Sequence, residues 1–177
     1  MRLALFLAPL SALAATPALA ADPAQLDCPL AALNAGQRAA VTETFVRLGG
    51  NGEAGSEALR ASVRDCAARH GWSDAAANSA VGYHGAALAA ALLGERLSAA
   101  GVDVAALERL LISDTALLAA FGEGGLANGA MADFVARNEA FIAGMLASLP
   151  EARQTETGNF AGFIVSREGL RRMFVRN

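Results

Sequence analysis

Two adjacent side chains, Tyr83 and His84, are the first place in this chain where chemistry could occur. They lie in a stretch almost free of charge, where an imidazole is costly to bury unless it has a partner or a task. His84 could therefore act as a general base or contact a ligand. The alternative is a neutral core histidine that is hydrogen-bonded to a backbone carbonyl, and we favour this structural interpretation.

Asn138 is the second unusual residue, because it places an amide on the apolar stripe of a predicted helix. Its neighbours Arg137 and Glu139 fall to either side of the stripe and would reach water. Buried amides often fix how helices pack, so we favour a structural role over a ligand contact. We also expect Asn138 and His84 to meet or to share a pocket.

The chain contains none of the common catalytic or metal-binding motifs. It has two histidines, no H-E-x-x-H, no G-x-S-x-G, and no group of His, Cys and carboxylates at ligand spacing. No metal and no cofactor are therefore predicted. A small hydrolase or ligand-processing enzyme remains as a second hypothesis, with His84 as base, Asn138 or Tyr83 as polarising partner, and Asp114 or Glu139 as the carboxylate beside the imidazole.

Basic side chains cluster near the carboxyl terminus, where only Glu168 opposes them. Positive charge at the C-terminal end of a helix is favoured by the helix dipole, which is the simpler explanation. The alternative is a docking patch for an acidic partner or a phosphate-bearing lipid. The residues concerned are Arg167, Arg171, Arg172 and Arg176.

Residues 1–20 have the pattern of a secretory signal peptide. Arg2 is followed by an apolar core, and Ala18-Leu19-Ala20 fits the rule for leader cleavage before Ala21. The sequence thus predicts a periplasmic or secreted protein, with residues 21–177 as a single all-helical domain and no membrane span after cleavage. The two cysteines, Cys28 and Cys66, are then expected to form a disulfide in an oxidising compartment.

The element that must position any site is a helix predicted over residues 73–100. Ser73 is a good N-cap, Asp74 places negative charge in the first turn, and Gly101 is a C-terminal stop. Alanine and glycine fill its interior, so neighbouring helices can approach its backbone closely. Its content of Ala and Gly, without an aromatic belt, favours a central core helix over a membrane span.

Helical periodicity predicts most of the remaining elements. We expect one helix over residues 34–48, one capped by Ser56, one after Asp103, and at Asp114 either a kink or a second short helix over residues 115–121. The most regular pattern covers residues 128–149 and predicts a long helix that forms the main core pair with the central one. Residues 151–159 are expected to be an exposed loop, residues 160–166 a helical turn or a short strand, and Ser166 the cap of a last helix.

These elements together predict an all-α protein, a compact orthogonal or up-down bundle of about five to seven helices around a central Ala/Gly-rich helix. The formal net charge of −3 argues against nucleic acid as the main partner. The leading hypothesis is a small exported protein that binds a protein partner or a small apolar ligand without catalysis. The hydrolase is the second hypothesis, and a stress chaperone that exposes apolar surface is the third.

Overall fold

A computed structural model describes residues 21–46, 52–122 and 129–177. Regular structure within these ranges is entirely helical, so the predicted all-α class is confirmed. The described residues form nine α-helices, not the five to seven that were expected. After a short 3-10 helix, Pro23–Gln25, these are α1 (Cys28–Ala32), α2 (Ala35–Val46), α3 (Glu53–His70), α4 (Asp74–Ala99), α5 (Val104–Ser113), α6 (Thr115–Gly122), α7 (Ala130–Arg137), α8 (Glu139–Leu146) and α9 (Glu151–Arg176).

The predicted signal peptide, residues 1–20, lies outside the described ranges. None of the helices within those ranges is both long and apolar enough to cross a lipid bilayer.

Helix α4 occupies the centre of the fold, as its small side chains predict. The hydroxyl oxygen of Ser73 accepts a hydrogen bond from the Ala76 amide at 3.0 Å, which caps the first turn. The helix ends just before Gly101, whose φ of +86° is a conformation that favours glycine. Buried positions run along the whole helix, from Ala76 to Leu97. The sequence alone therefore defined both ends of the central element.

The main partner of α4 is α9, whereas the helix expected over residues 128–149 does not play that role. The prediction of an exposed loop at residues 151–159 was wrong, because these residues form the first turns of α9. Most polar side chains of residues 151–159 lie on the solvent face, whereas Thr157 and the following Phe160 are buried. Residues 160–166 are helical too, and Ser166 lies within the helix and does not cap one.

The long helix predicted over residues 128–149 is divided at Asn138 into α7 and α8. Asn138 leaves the helical conformation, with φ −116° and ψ 22°, and its side-chain Nδ2 donates to the Phe134 carbonyl at 2.9 Å. Asparagine competes in this way for backbone groups that would continue a helix. The amide thus ends one helix and begins the next.

Local capping signals located two of the shorter helices, α5 and α6. Asp103 and Asp114 accept hydrogen bonds from the backbone amides of Ala106 and Leu117, each at 2.9 Å, and so cap α5 and α6 as predicted. Helix α3 begins at Glu53, so the expected cap at Ser56 was wrong: Ser56 lies inside the first turn.

The core is divided into two clusters that meet along α4 and α9. One joins the C-terminal half of α4 to α5, α6, α7 and α9, and the other joins its N-terminal half to the chain start, α2, α3 and the end of α9. Helices α2 and α3 touch at their backbones, because a Cβ atom on Gly55 would lie 2.2 Å from the Ala40 carbonyl oxygen. The two clusters leave unfilled space where α2, α3, α4 and α9 meet.

Candidate functional site

His84 is buried and its ring is hydrogen-bonded to the backbone. Only 1% of its surface is exposed, and its ring Nε2 lies 2.7 Å from the carbonyl oxygen of Leu26. Because a carbonyl only accepts hydrogen bonds, Nε2 must carry the proton and donate. Burial lowers the pKa of His84 below its ordinary value of 6.5, and the Leu26 hydrogen bond and the charge of Asp27 offset only part of that effect. The arrangement is the carbonyl-bonded core histidine that we favoured.

Of the other predicted site residues, Tyr83 contacts His84, whereas Asn138 and Asp114 bind other groups. Tyr83 is half-buried and its ring meets the His84 ring edge to face, with centroids 5.1 Å apart. Asn138 instead binds the Phe134 carbonyl, in the other core cluster, and Asp114 binds Arg137 at 2.7 Å. The expectation that His84 and Asn138 meet or share a pocket therefore finds no support in these contacts.

The carbonyl that holds His84 belongs to the N-terminal strap, which we define as residues 21–33. Further contacts tie the strap to α3 and to the joint between α3 and α4. Cys28 and Cys66 form the predicted disulfide, so that pairing is confirmed. The strap is also held by hydrogen bonds from Trp72 Nε1 to Gln25 Oε1 at 2.8 Å and from Ser62 Oγ to the Pro29 carbonyl at 2.7 Å.

The C-terminal arginines are mostly paired within the chain. Arg167 binds Glu108 at 2.6 Å, and Arg171 and Arg172 both bind Glu168, at 2.8 and 3.0 Å. The hydrogen bonds from Arg171 lower the pKa of Glu168 below its ordinary range. Arg176 is exposed. Three of the four guanidinium groups have carboxylate partners, two of them sharing Glu168, and the binding of an acidic partner stays a prediction.

A cavity of about 320 Å³ lies where α2, α3, α4 and α9 meet, and we call it the interhelical cavity. It is partly open to solvent. Its walls are mainly apolar, and small residues of α4 form one side of it. The lining residues are Phe45 of α2, Ser56 and Arg60 of α3, Val81, Gly82, Gly85, Ala86 and Ala89 of α4, and Phe163, Ser166 and Leu170 of α9.

Three polar side chains lie in this otherwise apolar lining: Ser56, Arg60 and Ser166. Ser56 and Arg60 are four residues apart in α3, so they share one face of that helix. Within the described part of the chain, none of the three side chains makes a hydrogen bond or an ion pair. An apolar cavity with a few polar groups is the usual form of a small-molecule site.

Two glycines of α4 allow α2 and α9 to pack closely against this helix beside the cavity. A Cβ atom on Gly82 would lie 2.9 Å from Leu170, and one on Gly85 would lie 2.7 Å from Phe45. Glycine thus lets these large side chains pack directly against the α4 backbone. Gly82 and Gly85 are three residues apart and share one face of α4, so α9 and α2 both pack against the face that lines the cavity.

Sequence reasoning missed this site entirely. Two signals were available: the Ser56 and Arg60 pair at helical spacing, and the run of small residues at helical spacing from Gly82 to Ala89. Neither signal shows from one sequence that α9 supplies the opposite wall. The site could be recognised only after α9 was placed.

A second, smaller cavity of about 190 Å³ lies between α5, α7, α8 and α9. Its lining is almost wholly apolar and includes Met131, Phe134 and Met145. None of its described lining residues carries a charge that could orient a ligand. Nor do the described residues contain a cluster of three or more His, Cys, Asp or Glu that could hold a metal ion.

Comparison of the chain with protein-family models, with curated proteins and with solved structures gives no match.

Proposed function

We propose that this chain binds a small apolar ligand in the interhelical cavity. The observation that carries the proposal is the cavity itself, which is open to solvent and walled mainly by apolar side chains. Its volume of about 320 Å³ lies at the lower end of the range usual for ligand sites, which is roughly 300–1,000 Å³. Covering apolar walls such as Phe45, Phe163 and Leu170 with an apolar ligand removes them from water, which drives binding.

The hydrolase hypothesis has less support. His84 would have to act as its base, but that side chain is 1% exposed and its Nε2 proton is committed to the Leu26 carbonyl. A general base must reach the proton that it removes from a substrate. Binding of a protein partner and chaperone activity stay predictions.

The test is a fluorescence titration with N-phenylnaphthylamine, a neutral apolar probe. The wild-type chain is compared with Ala89→Leu, which fills the cavity, and with Ala91→Leu, which adds the same side chain at an exposed position of α4. We expect the wild type and Ala91→Leu to bind the probe and Ala89→Leu to bind it at least tenfold more weakly.

Ser166→Phe fills the cavity from α9 and serves as a second filling variant if Ala89→Leu does not fold. Equal binding by the wild type and a folded filling variant would contradict the proposal. So would the absence of any binding to the wild type.

A further inference from the structure

The interhelical cavity carries a single ionisable group among its described lining residues, the guanidinium of Arg60. Arg60 is exposed and makes no ion pair within the described ranges, in contrast to Arg167, Arg171 and Arg172, which all bind carboxylates. Guanidinium is the side-chain group best suited to bind a carboxylate, because its donors match both carboxylate oxygens. An unpaired guanidinium beside an apolar cavity therefore offers a place for an anion.

Two hydroxyl groups line the same cavity. Ser56 and Ser166 make no side-chain hydrogen bond in the described part of the chain. By comparison, the Ser79 hydroxyl donates to the Ala75 carbonyl one turn earlier, which is the common arrangement for serine in a helix. Free hydroxyls at the cavity can donate to an anionic oxygen beside Arg60.

The acidic residues at the start of α3 do not occupy the anion position beside the Arg60 guanidinium. Glu53 and Glu57 belong to the first turns of α3, are exposed, and are absent from the cavity lining. The lining contains no carboxylate among its described residues, so an anion there meets no like charge within the cavity wall. The charge balance of the site is positive, although the whole chain is acidic, with a formal net charge of −3.

We infer that the ligand of the interhelical cavity is an alkyl carboxylate, whose anionic head binds Arg60, Ser56 and Ser166 while its chain lies against Phe45, Phe163 and Leu170. This inference rests on the proposed function, because it assigns the chemistry of a ligand in the same cavity. A carboxylate head would also form hydrogen bonds with Arg60, Ser56 and Ser166, which a purely apolar ligand would leave without a partner.

The inference is tested by isothermal titration calorimetry at neutral pH with three probes of equal chain length: decanoate, decanol and decylammonium. Decanoate is expected to bind best, because only its head can accept hydrogen bonds from a guanidinium while carrying the opposite charge. Octanoate should bind about fifteenfold more weakly than decanoate, since each buried methylene changes affinity by about fourfold.

The matched variants are Arg60→Gln and Arg64→Gln. Arg64 is exposed one turn further along α3 and does not line the cavity, so its loss removes the same charge from the same helix. We expect Arg60→Gln to weaken decanoate binding by about threefold to fivefold, the upper range for an ion pair of a solvent-exposed guanidinium, and Arg64→Gln to change it by less than about twofold.

The outcomes separate this inference from the proposed function. If decanol binds as tightly as decanoate, or if Arg60→Gln and Arg64→Gln bind decanoate equally, the carboxylate inference is overturned while binding of an apolar ligand stands. If neither the decyl probes nor N-phenylnaphthylamine binds, both are overturned. A selective loss of decanoate binding in Arg60→Gln, with decanol binding unchanged, supports the inference.

Discussion

The ring Nε2 of His84 lies 2.7 Å from the carbonyl oxygen of Leu26, so the middle of α4 is joined directly to the N-terminal strap. Fifty-eight residues separate the two partners in the sequence. The contact is buried, so the loss of either polar group would leave the other buried without a hydrogen-bond partner. His84 thus joins α4 to the strap, and it is not among the α4 residues that line the interhelical cavity.

Replacing His84 by alanine should lower the free energy of unfolding by about 2–4 kcal/mol, because it leaves the Leu26 carbonyl buried without a donor and opens a cavity. Urea denaturation followed by circular dichroism measures the change. His70→Ala is the matched control, since His70 is the other histidine and is exposed. A loss below about 0.5 kcal/mol for His84→Ala, within the range of ordinary surface substitutions, would contradict a structural role.

The stability of the protein should fall as the pH drops below about 6.5. The unfolded chain binds a proton on His84 near its ordinary pKa of 6.5, whereas the folded chain does not because burial lowers that pKa. The unfolded state therefore holds more protons below pH 6.5, and stability is lost by up to about 1.4 kcal/mol per pH unit. Above pH 6.5 the unfolded chain also leaves His84 neutral, so this loss of stability is absent there.

Urea denaturation at pH 7.5, 6.5 and 5.5 measures this dependence. Asp114 and Glu168, whose pKa values are lowered, titrate below this range, so they do not obscure the result. His84→Gln should abolish most of the dependence and His70→Gln should retain it. An unchanged slope in His84→Gln would show that another group causes the effect.

Removing the disulfide should destabilise the chain by about 2–4 kcal/mol, because the Cys28 to Cys66 bridge restricts the unfolded state. Thermal unfolding with and without a reductant measures this effect. The double variant Cys28→Ser, Cys66→Ser has no remaining cysteine, since the chain contains two. It should melt at the lower temperature whether or not reductant is present. Equal melting of the wild type in both conditions would contradict a stabilising bridge.

Two glycines of α9 provide a matched test of how closely its neighbours pack. A Cβ atom on Gly169 would lie 2.1 Å from the Phe121 ring, whereas one on Gly162 would meet no atom within 4 Å. Gly169→Ala should destabilise by about 1–3 kcal/mol through overpacking. Gly162→Ala should stabilise by about 0.5–1 kcal/mol, because alanine is the better helix former. Differential scanning calorimetry compares the two, and similar melting temperatures would contradict the placement of α9.

The parts of the fold that sequence predicted are those encoded locally. Ser73, Asp103 and Asp114 cap the first turns of their own helices, so each helix start can be read from a few neighbouring residues. The disulfide could be predicted because two cysteines allow one pairing. The parts that it missed depend on distant contacts. The polar start of α9 looks like a loop until Thr157 and Phe160 are seen to be buried.

The candidate site was beyond prediction for the same reason. His84 attracted attention because its residue type is rare in an apolar stretch, whereas Ser56, Arg60 and Ser166 are ordinary on polar helix faces. Only the meeting of α3, α4 and α9 brings those three side chains to one cavity. A single sequence specifies each helix face but not which faces meet.

The most direct test is a crystal structure of the protein with decanoate that carries a bromine on its terminal carbon, located by anomalous scattering. The account predicts a bromine peak inside the interhelical cavity, among Phe45, Phe163 and Leu170, with the carboxylate beside Arg60. A peak in the smaller cavity lined by Met131, Phe134 and Met145, or a bound ligand whose carboxylate lies away from Arg60, would contradict it.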